Sequence, residues 1–292
     1  IARLLLIKND EPISVIHGYS VTSASMKSFV NSLTKGNIKE YPNKKIIPAK
    51  RRDILPEAAY VLKKIISMSK IETVNVSSFG VREGINFDRL DNKKKILDPL
   101  LNQSLSVAKE RCRFPEHGSI LYHWIKPIFP TQAEDHAQLD RLNRAVCILS
   151  DIAWRAHPDY KAERAVELAL HGRWLDVSHH DRAYMGVALN QAYGGRFDAP
   201  YIKDVLGLLS SRNKSLAMAL GAALRLAQRL SGGTLNVLAI SKLRLDKAKI
   251  ILVIDTKYRD LYGSIVTRRL KVLSALLELD YEVIFEDKSN RL

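Results

Sequence analysis

Two groups of residues in this chain are of the types and spacing that do chemistry. In the first, Gly80 follows a β-branched run, Thr73-Val74-Asn75-Val76-Ser77, and leads into Val81-Arg82-Glu83. A glycine at the end of a strand permits a tight turn and close backbone approach, and a helix beginning near Val81 would aim its free N–H groups at an anion. Arg82 in that turn and Arg51 upstream could pair with phosphate, because a planar guanidinium matches phosphate oxygens bidentately. Glu83 suits another task, orienting Arg82 or capping the helix, since a carboxylate in a first turn is favoured by the helix dipole. Read from the residues alone, a structural turn is the stronger reading, as glycines at strand ends are common.

The second group comprises His117, the pair Ser150-Asp151, and the run His171, His179, His180 and Asp181. In HD phosphohydrolases a histidine, an adjacent His-Asp pair and a later aspartate hold a metal whose bound water performs hydrolysis. His117 could serve as the first histidine. The pair here, however, begins with Ser150, and a hydroxyl is a poor replacement for an imidazole ligand. The expectation is that no metal is held there and that Asp151 bonds nearby backbone or Arg155. His179 and His180 are adjacent, so on a helix or strand they diverge, and a solvated turn is expected. Trp154-Arg155 and Arg173-Trp174 could stack on nucleic-acid bases. An aromatic ring pinning a helix with an arginine lying over it is the commoner contact, and no nucleic-acid partner is expected.

The elements that must position these groups differ along the chain. Apolar residues Val21, Met26, Phe29, Val30 and Leu33 recur at helical spacing, with Thr22 or Ser23 as N-cap. Pro42 and Pro48 mark a basic loop. Residues 53–69 read as a helix with Ile54, Ala58, Val61, Leu62, Ile65 and Ile66 on one side. Helix, strand, glycine turn and next helix follow in an order that suits an α/β layer, where ligands sit beyond the strand ends. Asn92-Lys93-Lys94-Lys95 is a charged link. Residues 98–230 are long amphipathic segments without a convincing strand, ending in an Ala/Leu-rich helix over 214–230 that Gly232-Gly233 stops. Strands are expected over 235–240, 250–255 and 281–285, with a helix over 265–279.

At 292 residues the chain should hold two or three domains. No apolar run approaches the length of a membrane span, so no membrane partner is expected. Cys112 and Cys147 lack ligand spacing and are read as small, buried or half-buried side chains in a protein of the reducing cytoplasm. The net charge is +15, most of it in the first third of the chain, which should attract polyanions through its long-range field. The apolar opening, Ile1 to Ile7, has the look of a segment preceded by more chain.

Several stretches resemble one family. Ser77-Ser78-Phe79-Gly80-Val81-Arg82-Glu83-Gly84-Ile85 is similar to a signature of the exopolyphosphatase/guanosine pentaphosphatase (Ppx/GppA) family. Arg51-Arg52-Asp53-Ile54-Leu55-Pro56 resembles an upstream family segment, with Lys50 where a glutamate would stand. His17-Gly18-Tyr19 also resembles the family, and Ser150 to Tyr160 looks like the segment that opens the helical domain's central helix in alphaproteobacterial members. The resemblance implies the C-terminal end of an actin-like (sugar kinase/heat-shock/actin) domain in residues 1–95, a helical HD-like domain in 96–232 and a small α+β module in 233–292. It further implies hydrolysis, with Mg2+, of terminal phosphoanhydride bonds of polyphosphate or guanosine pentaphosphate by a homodimer whose partners are polyphosphate or guanosine penta- or tetraphosphate. Arg51, Gly80, Arg82 and Glu83 would then bind phosphate or nucleotide, with the catalytic glutamate and phosphate loops lying N-terminal to Ile1. A non-catalytic module binding polyphosphate or guanosine tetra- or pentaphosphate and an independent HD-type hydrolase are the alternatives.

Overall fold

The computed structural model describes residues 1–35, 47–129, 135–234, 237–246 and 248–287, and the expected loop residue Pro42 lies outside them. Its contacts divide the chain into two compact units, Ile1–Leu90 and Asp91–Leu292.

The first unit begins with helix α1 (Ala2–Lys8), then strand β1 (Ser20–Thr22) and helix α2 (Ser23–Lys35). Thr22 caps α2 by accepting the Ser25 N–H at 3.2 Å. Short α3 (Ala49–Arg52), α4 (Leu55–Ser69), β2 (Thr73–Asn75) and α5 (Val81–Asp88) follow. Met26, Phe29, Val30 and Leu33 form the buried stripe of α2 and pack with Leu55, Ala59 and Ile66 of α4 and with Leu4, Leu5 and Leu6 of α1. The face expected for α4 is therefore turned: Ile54, Val61 and Ile65 are exposed, while Leu55 and Ala59 take the core. Helical spacing permits either stripe on so apolar a helix, and packing against α2 chooses between them. β2 is shorter than the β-branched run that announced it, and it pairs antiparallel with β1, with Val21 opposite Val74.

In the second unit α6 (Asn92–Lys95), α7 (Pro99–Arg111), α8 (His117–Ile125), α9 (His136–Ile148), α10 (Lys161–His171), α11 (His179–Tyr193) and α12 (Ser211–Ser231) succeed one another with no strand among the described residues up to 234. The central helix is α11, buried nearly all round from Arg182 to Asn190 as a helix without a polar face must be. Residues 151–156, expected to open the central helix, instead form turns after α9. α12 lies against α11 so closely that a Cβ on Gly221 would collide with the Ala188 carbonyl oxygen. Gly232, in the left-handed region at φ 60°, ends α12.

A three-stranded sheet closes this unit. Of the strand expected over 235–240, residues 235 and 236 lie outside the described part and Val237–Ile240 is a 3-10 turn; the strand itself is β3 (Ser241–Asp246). β3 pairs antiparallel with β4 (Lys249–Asp255), and β4 pairs parallel with β5 (Asp280–Glu286) through helix α13 (Ser264–Leu276). α13 packs on α12, with Val266, Leu270 and Leu273 buried. The order β3-β4-β5 leaves β3 and β5 as edges.

Candidate functional site

In the first unit, the loop from β2 to α5 is held by its own residues. Ser77 Oγ accepts the Phe79 N–H at 3.0 Å, and His17 Nδ1 accepts the Ser78 N–H at 3.2 Å while its ring meets Phe79 edge-on at 4.9 Å. Glu83 Oε2 accepts the Gly80 N–H at 2.7 Å, closing the first turn of α5. Glu83 is thus the cap of this helix. Gly80 has an extended backbone, φ −125°, which any residue adopts, and a Cβ there would meet only Glu83 Oε2 at 3.8 Å. Glycine is therefore not demanded by the turn's geometry. An anion at this N–H would have to displace the Glu83 carboxylate.

Arg82 is exposed on α5 and makes no hydrogen bond or ion pair with a described residue. Arg51 is likewise exposed on α3, beside Arg52, whose Nε donates to the Ile47 carbonyl at 2.9 Å. Neither guanidinium has a hydrogen-bond or ion-pair partner among the described residues. No hydrogen bond or ion pair among the described residues joins Arg51 to the 77–84 loop.

The second unit gathers a different set. Arg113 Nε donates to Asp151 Oδ2 at 3.0 Å and Arg113 Nη2 to Oδ1 at 3.4 Å, while the Arg113 amide leans on the same carboxylate. The expected partner Arg155 lies instead over the Trp154 ring at 4.8 Å, as Arg113 does from 5.6 Å. Trp154 Nε1 donates to the Arg111 carbonyl at 2.8 Å, which fixes the ring as a structural contact. Gln228 from α12 donates to the Ser150 carbonyl and the Ala153 N–H to the Tyr193 hydroxyl, so neighbouring chain holds this turn from two sides.

His117, at the start of α8, is 7% exposed and its Nε2 has no hydrogen-bond partner among the described residues. Burial lowers its pKa below the usual imidazole value, with the Asp151 charge acting against that and the Arg113 charge with it. The Arg113 guanidinium is pushed further up by its bond to Asp151. Cys112 next to it is half-buried and its thiol is pushed up to about 11, chiefly by burial, so it is not a ready thiolate. Cys147 is buried. Asp151 thus meets a guanidinium on both oxygens. Among the described residues no group of three or more His, Cys, Asp or Glu is placed to share a cation. These residues do not fit a magnesium site, which needs several oxygen ligands at once.

The expected solvated turn at His179-His180 is instead the first turn of α11. Ser178 and Asp181 cap each other there, with the Asp181 N–H on Ser178 Oγ at 3.1 Å and the Ser178 N–H on Asp181 Oδ2 at 2.9 Å. His179 is buried and His180 Nε2 lies 3.1 Å from Asn213 Nδ2; the Ser-x-x-Asp spacing was the missed signal. Trp174, as expected, pins a helix end, donating to the Leu168 and Ala169 carbonyls. Fully buried Arg182 also escaped notice: its Nη1 donates to the Leu170 and Gly172 carbonyls at 3.0 and 2.8 Å, and burial lowers its pKa to about 10.

Residues 100–284, all within the second unit, match a protein family described as "Exopolyphosphatase, C-terminal". A comparison with curated proteins finds no match.

Proposed function

The chain belongs to the exopolyphosphatase C-terminal family, and from that premise we propose that it is the C-terminal part of an enzyme hydrolysing terminal phosphoanhydride bonds of polyphosphate or guanosine pentaphosphate. The match over residues 100–284 carries the reading. In it, residues 1–95 end an actin-like phosphohydrolase domain, 96–232 are the helical domain and 233–292 its α+β module, in a cytoplasmic homodimer. The exposed apolar residues of α4 and α5, among them Met68 and Val81 at 80% each, support a first unit that belongs to a larger α/β layer.

Such hydrolysis is mostly positioning and neutralisation of charge on the transferred phosphoryl group. Arg51 and Arg82, both exposed, would pair with phosphate oxygens. Gly80 would offer its N–H once Glu83 turns aside. The water-activating glutamate and the phosphate loops fall outside residues 1–292 in this reading. Magnesium would supply charge neutralisation at that catalytic part.

The Arg113–Asp151 pair favours one second reading, a non-catalytic polyphosphate or guanosine tetraphosphate module, over a third, an HD-type hydrolase, because the carboxylate such a hydrolase would use is already paired. Orthophosphate release with magnesium tests the proposal on the chain carrying its full actin-like domain and on residues 1–292 alone. The former should turn over and the latter should not. Turnover near about 1 per second by residues 1–292, the low end of enzyme rates, would put the active site within them and sink the proposal. Binding of polyphosphate should fall roughly tenfold with Arg51→Ala or Arg82→Ala and far less with Lys94→Ala. Equal losses for all three would mean diffuse charge only.

A further inference from the structure

The packed helices α12 and α13 contain no Asp or Glu between them. Cations on a helix surface commonly have carboxylates three or four positions away. Here Arg225 and Arg229 of α12 and Arg268 and Arg269 of α13 have one another instead. Half-buried Arg225 is lowered from its ordinary pKa by burial first and then by the charges of Arg269 and Arg268. Arg269 is lowered by burial and then by Arg268 and Arg229. No carboxylate is among the charges that shift either of them, and none of the four guanidiniums has a hydrogen-bond, ion-pair or ring partner among the described residues.

The fold fixes where the most buried of these guanidiniums lies. Gly221 and Arg225 are one turn apart on the face of α12 that meets α11. At Gly221 the two backbones touch, and at Arg225 α11 has ended in Gly194. A Cβ on Gly194 would fall on Arg225 Cζ, Nη1 and Nη2 at nearly equal distances, so the fork lies flat against this glycine. Helix dipoles offset part of the charge, because Arg225 sits at the C-terminus of α11 and Arg229 in the last turn of α12. Arg268 and Arg269 stand in the body of α13, where no helix end answers them.

Cations gathered without an internal anion are suited to an external one. A guanidinium fork takes phosphoryl oxygens two at a time, and a phosphate chain carries its charges closely enough to meet several forks at once. An acidic peptide would bring backbone donors and acceptors for which two internally bonded helices have no partners. Single-stranded nucleic acid relies on rings for its bases, and among the described residues no ring lies over any of the four arginines.

We infer that Arg225, Arg229, Arg268 and Arg269 form a site within the second unit for a chain of phosphoryl groups, inorganic or carried by a nucleoside. It goes beyond the proposed hydrolysis, since α12 and α13 offer no carboxylate to activate water and the site binds only.

The probe is inorganic tripolyphosphate, titrated calorimetrically into the full 292-residue chain carrying Arg51→Ala/Arg82→Ala, so that those two arginines contribute nothing. Adding Arg225→Lys/Arg269→Lys, which keeps the charge and removes the fork, should weaken binding by at least about tenfold. Lys214→Ala, three turns away on α12, should change it by less than about twofold. Arg268→Ala should also weaken binding, yet leave the urea midpoint of the unliganded chain no lower, because it removes a repelling charge; this arm reads the site even if the lysine pair folds poorly. Guanosine triphosphate binding as tightly as tripolyphosphate would assign the ligand to the phosphate chain itself, and tighter binding to a nucleoside polyphosphate; either supports the inference. Absence of binding at millimolar tripolyphosphate, binding unchanged by the lysine pair, an equal loss with Lys214→Ala, a lowered midpoint in Arg268→Ala, or an oligonucleotide that binds these arginines more tightly than tripolyphosphate would each overturn it. Orthophosphate release by the chain with its full actin-like domain is a separate reading, so the proposed function can fail while this site stands, and the reverse.

Discussion

Glu83 and Asp151 are carboxylates of the two candidate sites that are satisfied in opposite ways. Glu83 finds a backbone N–H three residues away on its own helix turn, at the exposed surface. Asp151 takes a guanidinium from 38 positions upstream, in a turn that α11 and α12 also hold. Their glycines differ in the same sense: Gly80 faces open space beyond Glu83, and Gly221 is pressed on the α11 backbone. A turn built locally can change its bonding partner without disturbing a core. One built from distant segments is a structural joint, and a ligand there has to compete with packing as well as with an ion pair.

The largest effect should come from the joint. Gly221→Val would force α11 and α12 apart and should destabilise the second unit by about 1–3 kcal/mol, read as a lower urea midpoint with an unchanged slope. A midpoint equal to wild type would show that the seam gives way freely, and the contrast with Gly80 would dissolve.

An intermediate effect should appear with pH. His117 has its pKa lowered by burial, so the unfolded chain binds a proton more readily. Stability should therefore hold above the ordinary histidine value of about 6.5 and fall as pH drops through it toward the lowered folded value. His117→Gln should flatten that part of the stability-against-pH curve. A variant that loses stability in parallel with wild type over that window would move the effect to another group.

Smallest should be the cap. Glu83→Ala removes the exposed bond to the Gly80 N–H and should cost about 0.5–1 kcal/mol, seen as faster amide exchange at Gly80 and the first turn of α5. Loss of protection in α2 or α4 would tie the loop to the core and end its description as a local device.

What could be read beforehand follows this division. The stripe Met26-Phe29-Val30-Leu33, the Thr22 cap and the Gly232 stop are set by neighbours within a turn or two, and each stands as expected. The strand-turn-helix order around Gly80 was equally legible, since β-branched residues and a first-turn carboxylate act on their own segment. Thr73 to Asn75 did not say that they would pair antiparallel with Ser20 to Thr22.

Sequence alone determined the helical character of the second unit and the types of residue available to each turn, because helix periodicity and capping are local energies. Tertiary structure alone decided which face of α4 enters the core, that the central helix is α11, and that Asp151 meets Arg113 instead of Arg155. Those outcomes depend on which distant surfaces come into register. Burial and charge pairing act through space: Arg155 lies within reach of Asp151 along the chain, but among the described residues the guanidinium bonded to it is that of Arg113, 38 positions away.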